Sequence, residues 1–562
     1  MVWLRVSMVM GIIVALLLLV PIAYSSYIVP LVEEGPEVSL KVIEPIAAPN
    51  VTVPEILGAS VDWTDNANGL YDDVSGLLNP APVAQLIKLD PSHLRFPATR
   101  LSQVYDWKLG VGNPSERGFN PSHDGDSQSS LFGTDEFFKL VDHVGSRAVM
   151  VVNSNTGSAL SASDWVSYCN DDQYTRLGKD RASNGYINPY RIKDWEIGYE
   201  AYVPKYWEGI STTERGAGTL YGELVVNYSE AMKKIDPSIK VGAWMVLHPD
   251  KEQTSADSNW NNNFLRAAGG QFNLPGADPY YFDYVVVKVE LPDIDLLLNY
   301  PDLYRYSYAQ TLKMLRDHLA QVRGLLATLP RNPIPVAFAC FEPDFGPGGW
   351  NTQAPSYAAS ALITADLAMQ MLNVAMEDGK QSVRYACYGE LNTPTYSSLM
   401  INPDFEWAHI ETWGQSPNYL AFEMATALQG GKPLVVTEIS PVTYSVDRGG
   451  ELPALRNVPL VSAFATGDLE AGTVTILIVN RDLERSVTCR ISVQMTGLSA
   501  APQLSVRTLQ FESLLNTNLV EPTVRAPLPI PDSKRVVAKD DFKVTIEPAG
   551  IALLILEPKE VD

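Results

Sequence analysis

The feature that most constrains this chain is a repeated alternation. Eight short β-rich runs stand along it: Ile56 to Val61, His93 to Phe96, Ala148 to Val152, Lys193 to Ile197, Lys240 to Met245, Tyr284 to Val289, Val336 to Cys340 and Val383 to Tyr388. Between them lie stretches with apolar residues three and four apart, such as Asp135 to Val144, Gly222 to Ile235 and Ala358 to Met376. Parallel strands need a crossover connection, usually a helix, so strands that alternate with helical periodicity predict a parallel sheet. Eight such units across roughly 340 residues predict a (β/α)8 barrel with insertions, of the α/β class.

The texture changes after Leu420. Leu434 to Ile439, Val461 to Ala465, Thr473 to Val479, Val487 to Val493, Ser505 to Leu509, Phe542 to Ile546 and Ile551 to Leu556 are short, β-branched and bounded by turn residues. This pattern predicts an all-β C-terminal β-sandwich, jelly-roll-like, to which the strand-like Val38 to Ile43 ahead of the barrel adds a strand. The Pro-rich stretch Pro522 to Pro531 is expected to be a loop of that domain. The organisation is then an N-terminal segment 27–53, a barrel 54–425 and a sandwich 426–562.

Ahead of these, residues 1–26 combine Arg5, an apolar run from Val6 to Val20 and small residues after it. That is the layout of a signal peptide, or of a membrane anchor if the segment is retained. The chain is therefore expected to be secreted, or anchored at the outer face of the cell membrane.

Composition narrows the chemistry. In 562 residues, 42 Lys+Arg stand against 65 Asp+Glu, a formal net charge of −23, so nucleic acid is a poor partner. Six His and four Cys with no CxxC give no metal site, and no cofactor is called for. Cys340 and Cys387, on neighbouring strands, read either as a bridge or as two buried thiols. Catalysis is expected to rest on carboxylates.

Barrel enzymes place catalytic groups at the C-terminal ends of their strands. Glu200 follows the fourth run and Glu342 the seventh, across the mouth from each other. Retaining cleavage of a glycosidic bond needs such a pair about 5–5.5 Å apart, one carboxyl as acid/base and the other as nucleophile. Glu438, in Val435-Val436-Thr437-Glu438, looks like a nucleophile strand but comes after eight strands have been counted. Asp62 and Glu290, after the first and sixth runs, read as substrate contacts or as loop caps and ion pairs. Trp63, Trp107, Trp350 and Trp413 read as stacking platforms along a cleft or as packing at loop bases.

Several segments together resemble a known family. They are Leu94-Arg95-Phe96-Pro97, Tyr105 to Pro114, Phe132 to Phe137, Val152-Asn153-Ser154-Asn155-Thr156-Gly157, Asp164 to Asn170, Arg181 to Gly185, Asp236 to Lys240, Val479-Asn480-Arg481 and Pro548-Ala549-Gly550. In order, they resemble glycoside hydrolase family 51, the α-L-arabinofuranosidases. The resemblance implies a barrel with a sandwich, a retaining mechanism, Glu200 as acid/base and Glu342 as nucleophile. It also implies substrate contacts near Asn153 and Trp107.

The departures fall in the sugar-binding shell. Tyr199 stands where the family has an Asn that holds the 2-hydroxyl, Arg100 replaces another sugar-contacting Asn, and Lys288-Val289-Glu290 replaces His-Tyr-Tyr. Pro343-Asp344 follows the nucleophile in place of Trp-Asn. A site that loses groups built to bind a substrate hydroxyl changes its sugar, so a donor other than arabinofuranose is expected. Arg100 and Lys288 would suit an anionic or sulfated sugar. The alternatives are an endo-β-glucanase or xylanase, and a carbohydrate-binding or cell-surface protein that has lost turnover. The partners expected are a carbohydrate substrate, a membrane through the N-terminal segment, and a second copy of the chain.

Overall fold

The computed structural model describes residues 35–45, 51–122, 126–203, 216–247, 259–271, 275–276, 279–289, 313, 315–330, 333–341, 358–376, 382–389, 391–392, 398–405, 408, 410–439, 441–447, 454–511, 528–529 and 535–559. The N-terminal apolar segment and most of Pro522 to Pro531 lie outside them. Among the described residues no helix is long and apolar enough to cross a membrane.

Eight strands close a barrel in chain order: Leu57–Ser60, His93–Phe96, Arg147–Val152, Asp194–Ile197, Lys240–Trp244, Tyr284–Val289, Val336–Phe341 and Val383–Tyr388. Each is parallel to its neighbours, and the eighth pairs with the first through Cys387 opposite Gly58. A Cβ on Gly58 would stand 2.5 Å from the His93 carbonyl oxygen and 3.0 Å from Cys387 Sγ, so this closure needs a residue without a side chain. Cys340 and Cys387 form no disulfide; all four cysteines are buried thiols.

The helices between strands follow their sequence signals. In Thr134–Val144 the Glu136 carboxylate accepts the Gly133 N–H at 3.0 Å, and the helix stops at Gly145 with φ 83°. Ala358–Met376 is apolar along its length and is packed with Pro417–Thr426, itself buried at every position. An all-round apolar helix needs cover on both sides. One side is the barrel, and Phe464, Leu477, Val479 and Leu553 of the C-terminal region share the same core. Asp366 on the first of these helices accepts two hydrogen bonds from Arg481 at 3.2 Å and one from Ser462, a buried charge pair at the junction.

The C-terminal region forms a ten-stranded sheet. Its path runs Leu528–Pro529, Gln503–Leu509, Ile551–Glu557, Thr473–Asn480, Val461–Asp468, Lys432–Glu438, Glu37–Ile43, Val487–Gln494 and Phe542–Ile546, with Arg535–Val536 beside Gln503–Leu509. The N-terminal strand does join this region, and in its interior: it is antiparallel to Lys432–Glu438 and parallel to Val487–Gln494. Val38, Leu40 and Val42 point into a second core with Cys489, Ile491 and Val493. Glu438 belongs to this sheet, opposite Leu40, and receives the Val442 N–H at 3.2 Å, away from the barrel strands.

Candidate active site

The fourth strand and the turn that follows it carry three acidic side chains, and each meets a different environment. Asp194 opens the strand and is paired with Arg384 at 2.7 Å. Glu196, fully buried, accepts Nε and Nη2 of Arg95 at 2.8 and 2.6 Å and the hydroxyl of Tyr385. Tyr385 also reaches the Tyr284 hydroxyl at 3.3 Å. Burial, with Glu196 beside it, pushes the Tyr385 phenol well above its usual range, so it stays a neutral donor. Arg95 further donates to the Ala98 carbonyl and lies 5.6 Å from the Tyr199 ring centre.

Glu200 ends this segment at the mouth. Gly198 turns the chain at φ 79°, and a Cβ there would stand 2.2 Å from Ser154 Oγ. The turn is bonded on all sides. Gly198 N–H donates to Val152 O at 3.0 Å, Trp244 Nε1 donates to Gly198 O at 2.6 Å, and Gln103 Nε2 donates to Tyr199 O at 2.7 Å. Ser154 Oγ in turn donates to Gln103 Oε1 at 2.6 Å. Glu200 itself has φ 39°, a left-handed conformation that costs a non-glycine residue about 1–2 kcal/mol and is kept where the surroundings enforce it. Its carboxyl is buried, with the Tyr202 hydroxyl donating to Oε1 at 3.1 Å and the Lys288 ammonium 3.9 Å from Oε2. Lys288 reaches this point because Tyr284, Val286 and Lys288 share one face of the sixth strand.

The structure brings together Glu200, Tyr199 and Lys288 among the residues singled out from sequence. Tyr199 is a packed wall, its ring edge-to-face with Trp244 at 5.3 Å. Asp62 is fully buried as a cap that joins two strand ends: Oδ1 accepts the Trp63 N–H at 2.8 Å and Oδ2 the Thr99 hydroxyl at 2.5 Å. Arg100 is exposed, in the short 3-10 turn Arg100–Gln103 after the second strand.

Other residues go elsewhere. Trp107 is 3 % exposed, stacked on Trp165 at 6.0 Å with its Nε1 donating to Ser161 O, so its ring faces are taken by packing and no platform is presented. Trp63 is buried against Tyr105, and half-buried Trp413 lies over Gly69. Asn153 Oδ1 accepts the N–H groups of Asn155, Thr156 and Gly157 at 3.0–3.1 Å, which makes it the organiser of its own loop. Glu342, Glu290 and Trp350 lie outside the described residues.

Two features of the site lie outside the residues singled out from the sequence. One is Tyr202, whose only trace is an aromatic two positions past the glutamate. The other is the turn after the first strand, where Asp65, Asn66, Ala67, Asn68 and Gly69 all have positive φ, between 50° and 90°. Side-chain amides hold it: Asn392 Nδ2 donates to Ala67 O at 2.8 Å and Asn402 Nδ2 to Asn68 O at 2.9 Å.

The chain's likenesses point to one kind of barrel enzyme. A protein-family profile described as the alpha-L-arabinofuranosidase 1 domain matches residues 85–270. An exo-alpha-(1->6)-L-arabinofuranosidase of Bifidobacterium longum is 23% identical over 484 residues, covering 82% of this chain and 83% of that one. Alpha-L-arabinofuranosidase C of Emericella nidulans is 31% identical over 149 residues, 26% of this chain and 28% of that one. In fold, the family 51 alpha-L-arabinofuranosidase of Thermotoga petrophila superposes with a TM-score of 0.72 at 19% identity, covering 93% of this chain and 100% of that one. With the barrel, the C-terminal sheet region and the profile match in agreement, the chain is a glycoside hydrolase that resembles the family 51 α-L-arabinofuranosidases.

Proposed function

We propose that this chain is an exported retaining glycosidase in which Glu200 is the acid/base and Glu342 the nucleophile, acting on a sugar other than ordinary α-L-arabinofuranose. The observation that carries the reading is Glu200 itself, a buried carboxyl held at the barrel mouth on a left-handed backbone. Glu342 enters by sequence, as the residue that follows the seventh strand, Val336–Phe341. Glu200 gives its proton to the glycosidic oxygen while Glu342 bonds to the anomeric carbon. Water then attacks that carbon, Glu200 takes up its proton, and the sugar leaves with its configuration retained. The relatives' names support a glycan substrate. The change of sugar is supported by Tyr199, a packed aromatic ring where the family carries a hydrogen-bonding Asn. Export is supported by the N-terminal segment alone.

A panel of aryl glycosides and plant and microbial polysaccharides tests the reading, with the anomer first released followed by NMR. We expect hydrolysis with retention by the natural chain, greater on another glycoside than on an α-L-arabinofuranoside, and loss of about 10²–10⁴-fold or more for Glu342→Ala. Inversion, or undiminished hydrolysis by Glu342→Ala, defeats the mechanism. Preference for α-L-arabinofuranosides defeats the change of sugar. Glycan binding without any turnover defeats the enzyme assignment.

A further inference from the structure

The two oxygens of Glu200 are held unequally. Oε1 accepts a hydrogen bond from Tyr202 at 3.1 Å, whereas Oε2 faces the Lys288 ammonium at 3.9 Å, close enough for charge but too far for a hydrogen bond. Tyr202 is itself fixed. Its ring lies between Trp244 and Trp260, with centroids 6.3 Å from each. Trp244 is bonded through Nε1 to the Gly198 carbonyl, and Trp260 is stacked on Tyr221 at 5.5 Å. The turn that aims Glu200 and the phenol that holds it thus share one support, because Trp244 binds both.

We propose that Tyr202 and Lys288 are positioning residues for the acid/base. Tyr202, by donating to Oε1, leaves Oε2 as the oxygen that carries the proton. Lys288 offsets the charge left on Oε2 once that proton has gone. This rests on Glu200 being the acid/base. In the first step the Oε2 proton passes to the glycosidic oxygen as the bond from that oxygen to the anomeric carbon breaks and the nucleophile's bond to the carbon forms. The bonding pair stays on the departing oxygen, and the leaving group departs as an alcohol. Glu200 is then a carboxylate, and its negative charge lies between the phenol and the ammonium. In the second step water bonds to the anomeric carbon, the nucleophile's bond breaks, and the water's proton returns to Oε2.

Leaving-group chemistry separates positioning from mere support. On the sugar that the natural chain cleaves fastest, a phenyl glycoside needs the general acid and a 2,4-dinitrophenyl glycoside hardly does. For Tyr202→Phe we expect kcat/KM to fall about tenfold on the phenyl substrate and by about twofold or less on the dinitrophenyl substrate. For Lys288→Met we expect kcat on the dinitrophenyl substrate, where return of the proton to Oε2 is exposed, to fall about tenfold, with recovery in Lys288→Arg. For Tyr202→Phe the ratio between substrates is unaffected by the fraction of molecules that fold, and for Lys288→Met kcat is taken per active site counted from the dinitrophenolate burst, so poor folding of a variant does not mimic the effect.

Equal losses on both substrates for Tyr202→Phe, or no loss, overturn its role; an unchanged Lys288→Met overturns the other half. Glu200→Gln distinguishes the two levels of the argument. If it lacks the leaving-group selectivity, the acid/base assignment falls. If it shows the selectivity and Tyr202→Phe does not, only the positioning role falls. A natural chain that cleaves no aryl glycoside or polysaccharide brings down both.

Discussion

Glu196 and Glu200 stand four residues apart on the same segment, one inside the barrel and one at its mouth, and they are treated in opposite ways. Glu196 accepts two short bonds from Arg95 and one from Tyr385, with no exposed surface. Glu200 receives one phenol at 3.1 Å and a distant ammonium, on a backbone that a glutamate adopts only under constraint. A buried carboxylate with three of its roughly four acceptor sites taken by partners on other barrel strands braces those strands and is closed to a substrate. A carboxyl held by one oxygen is aimed and still able to exchange a proton. The difference teaches that the bracing acid and the acid proposed to work, on one short segment, are told apart by how completely their oxygens are used.

The comparison breaks most visibly in activity. Glu200→Gln should lower kcat/KM on poor leaving groups by about 10²–10⁴-fold while denaturant unfolding shifts by less than about 1 kcal/mol, since a functional residue is held at a cost to stability. Activity that survives, or a collapse of stability, would merge the two glutamates into one class. Arg95→Met should do the reverse below the mouth, costing about 3–5 kcal/mol in urea unfolding because it leaves the Glu196 charge buried without its partner. Replacing both, as Arg95→Met with Glu196→Leu, should recover much of that loss; an additive double variant would show that the pair is not a unit.

The turn between the two glutamates gives a smaller effect. Gly198→Ala combines a positive φ with a Cβ 2.2 Å from Ser154 Oγ and should cost on the order of 1–3 kcal/mol. Adding Ser154→Gly removes the clash but not the strain, so recovery should be partial. Full recovery in the double variant would rule out the strain.

The most gradual effect concerns acidity in the barrel interior. Burial, with Arg147 and Arg384 nearby, pushes the His93 imidazole down to about 3. Below its unfolded value of about 6.5 the unfolded chain takes up a proton that the folded chain does not, so stability falls on the order of 1 kcal/mol per pH unit toward pH 3. Asp135 opposes this. Burial, against hydrogen bonds from Tyr190 and Tyr168, raises its carboxyl to about 6, so its contribution is lost as pH rises from about 4 to 6. His93→Gln should therefore flatten the difference between urea midpoints at pH 4 and pH 7. An unchanged difference would acquit His93.

Much of the fold is legible in the sequence because strand and helix periods are local properties. His93–Phe96, Tyr284–Val289, Val383–Tyr388 and Ala358–Met376 run to the same ends as their sequence patterns. Glu200 is legible because a barrel fixes where strand ends point. Tyr202 is not, because its value depends on two tryptophans 42 and 58 residues downstream. Trp107 and Asn153 show the converse. An aromatic beside a loop and an Asn at a strand end suit sugar binding, yet Trp165 and the loop's own N–H groups reach them first. The left-handed turn at Asp65–Gly69 is only half legible: Asp, Asn and Gly are the residues that tolerate positive φ, but the amides of Asn392 and Asn402 that hold it come from the far end of the barrel sequence.

The strand Glu37–Ile43 bears on how this chain comes to be made. It emerges from the ribosome before any barrel strand, yet its neighbours, Lys432–Glu438 and Val487–Gln494, are about 400 residues or more further on. Through about three-quarters of synthesis, Val38, Leu40 and Val42 have no partner strand to cover them. An early apolar strand with late partners is a standing invitation to pair with the wrong chain. A cell that makes this protein must keep the strand apart until the last quarter of the polypeptide arrives, and a chain truncated after the barrel would carry it permanently uncovered.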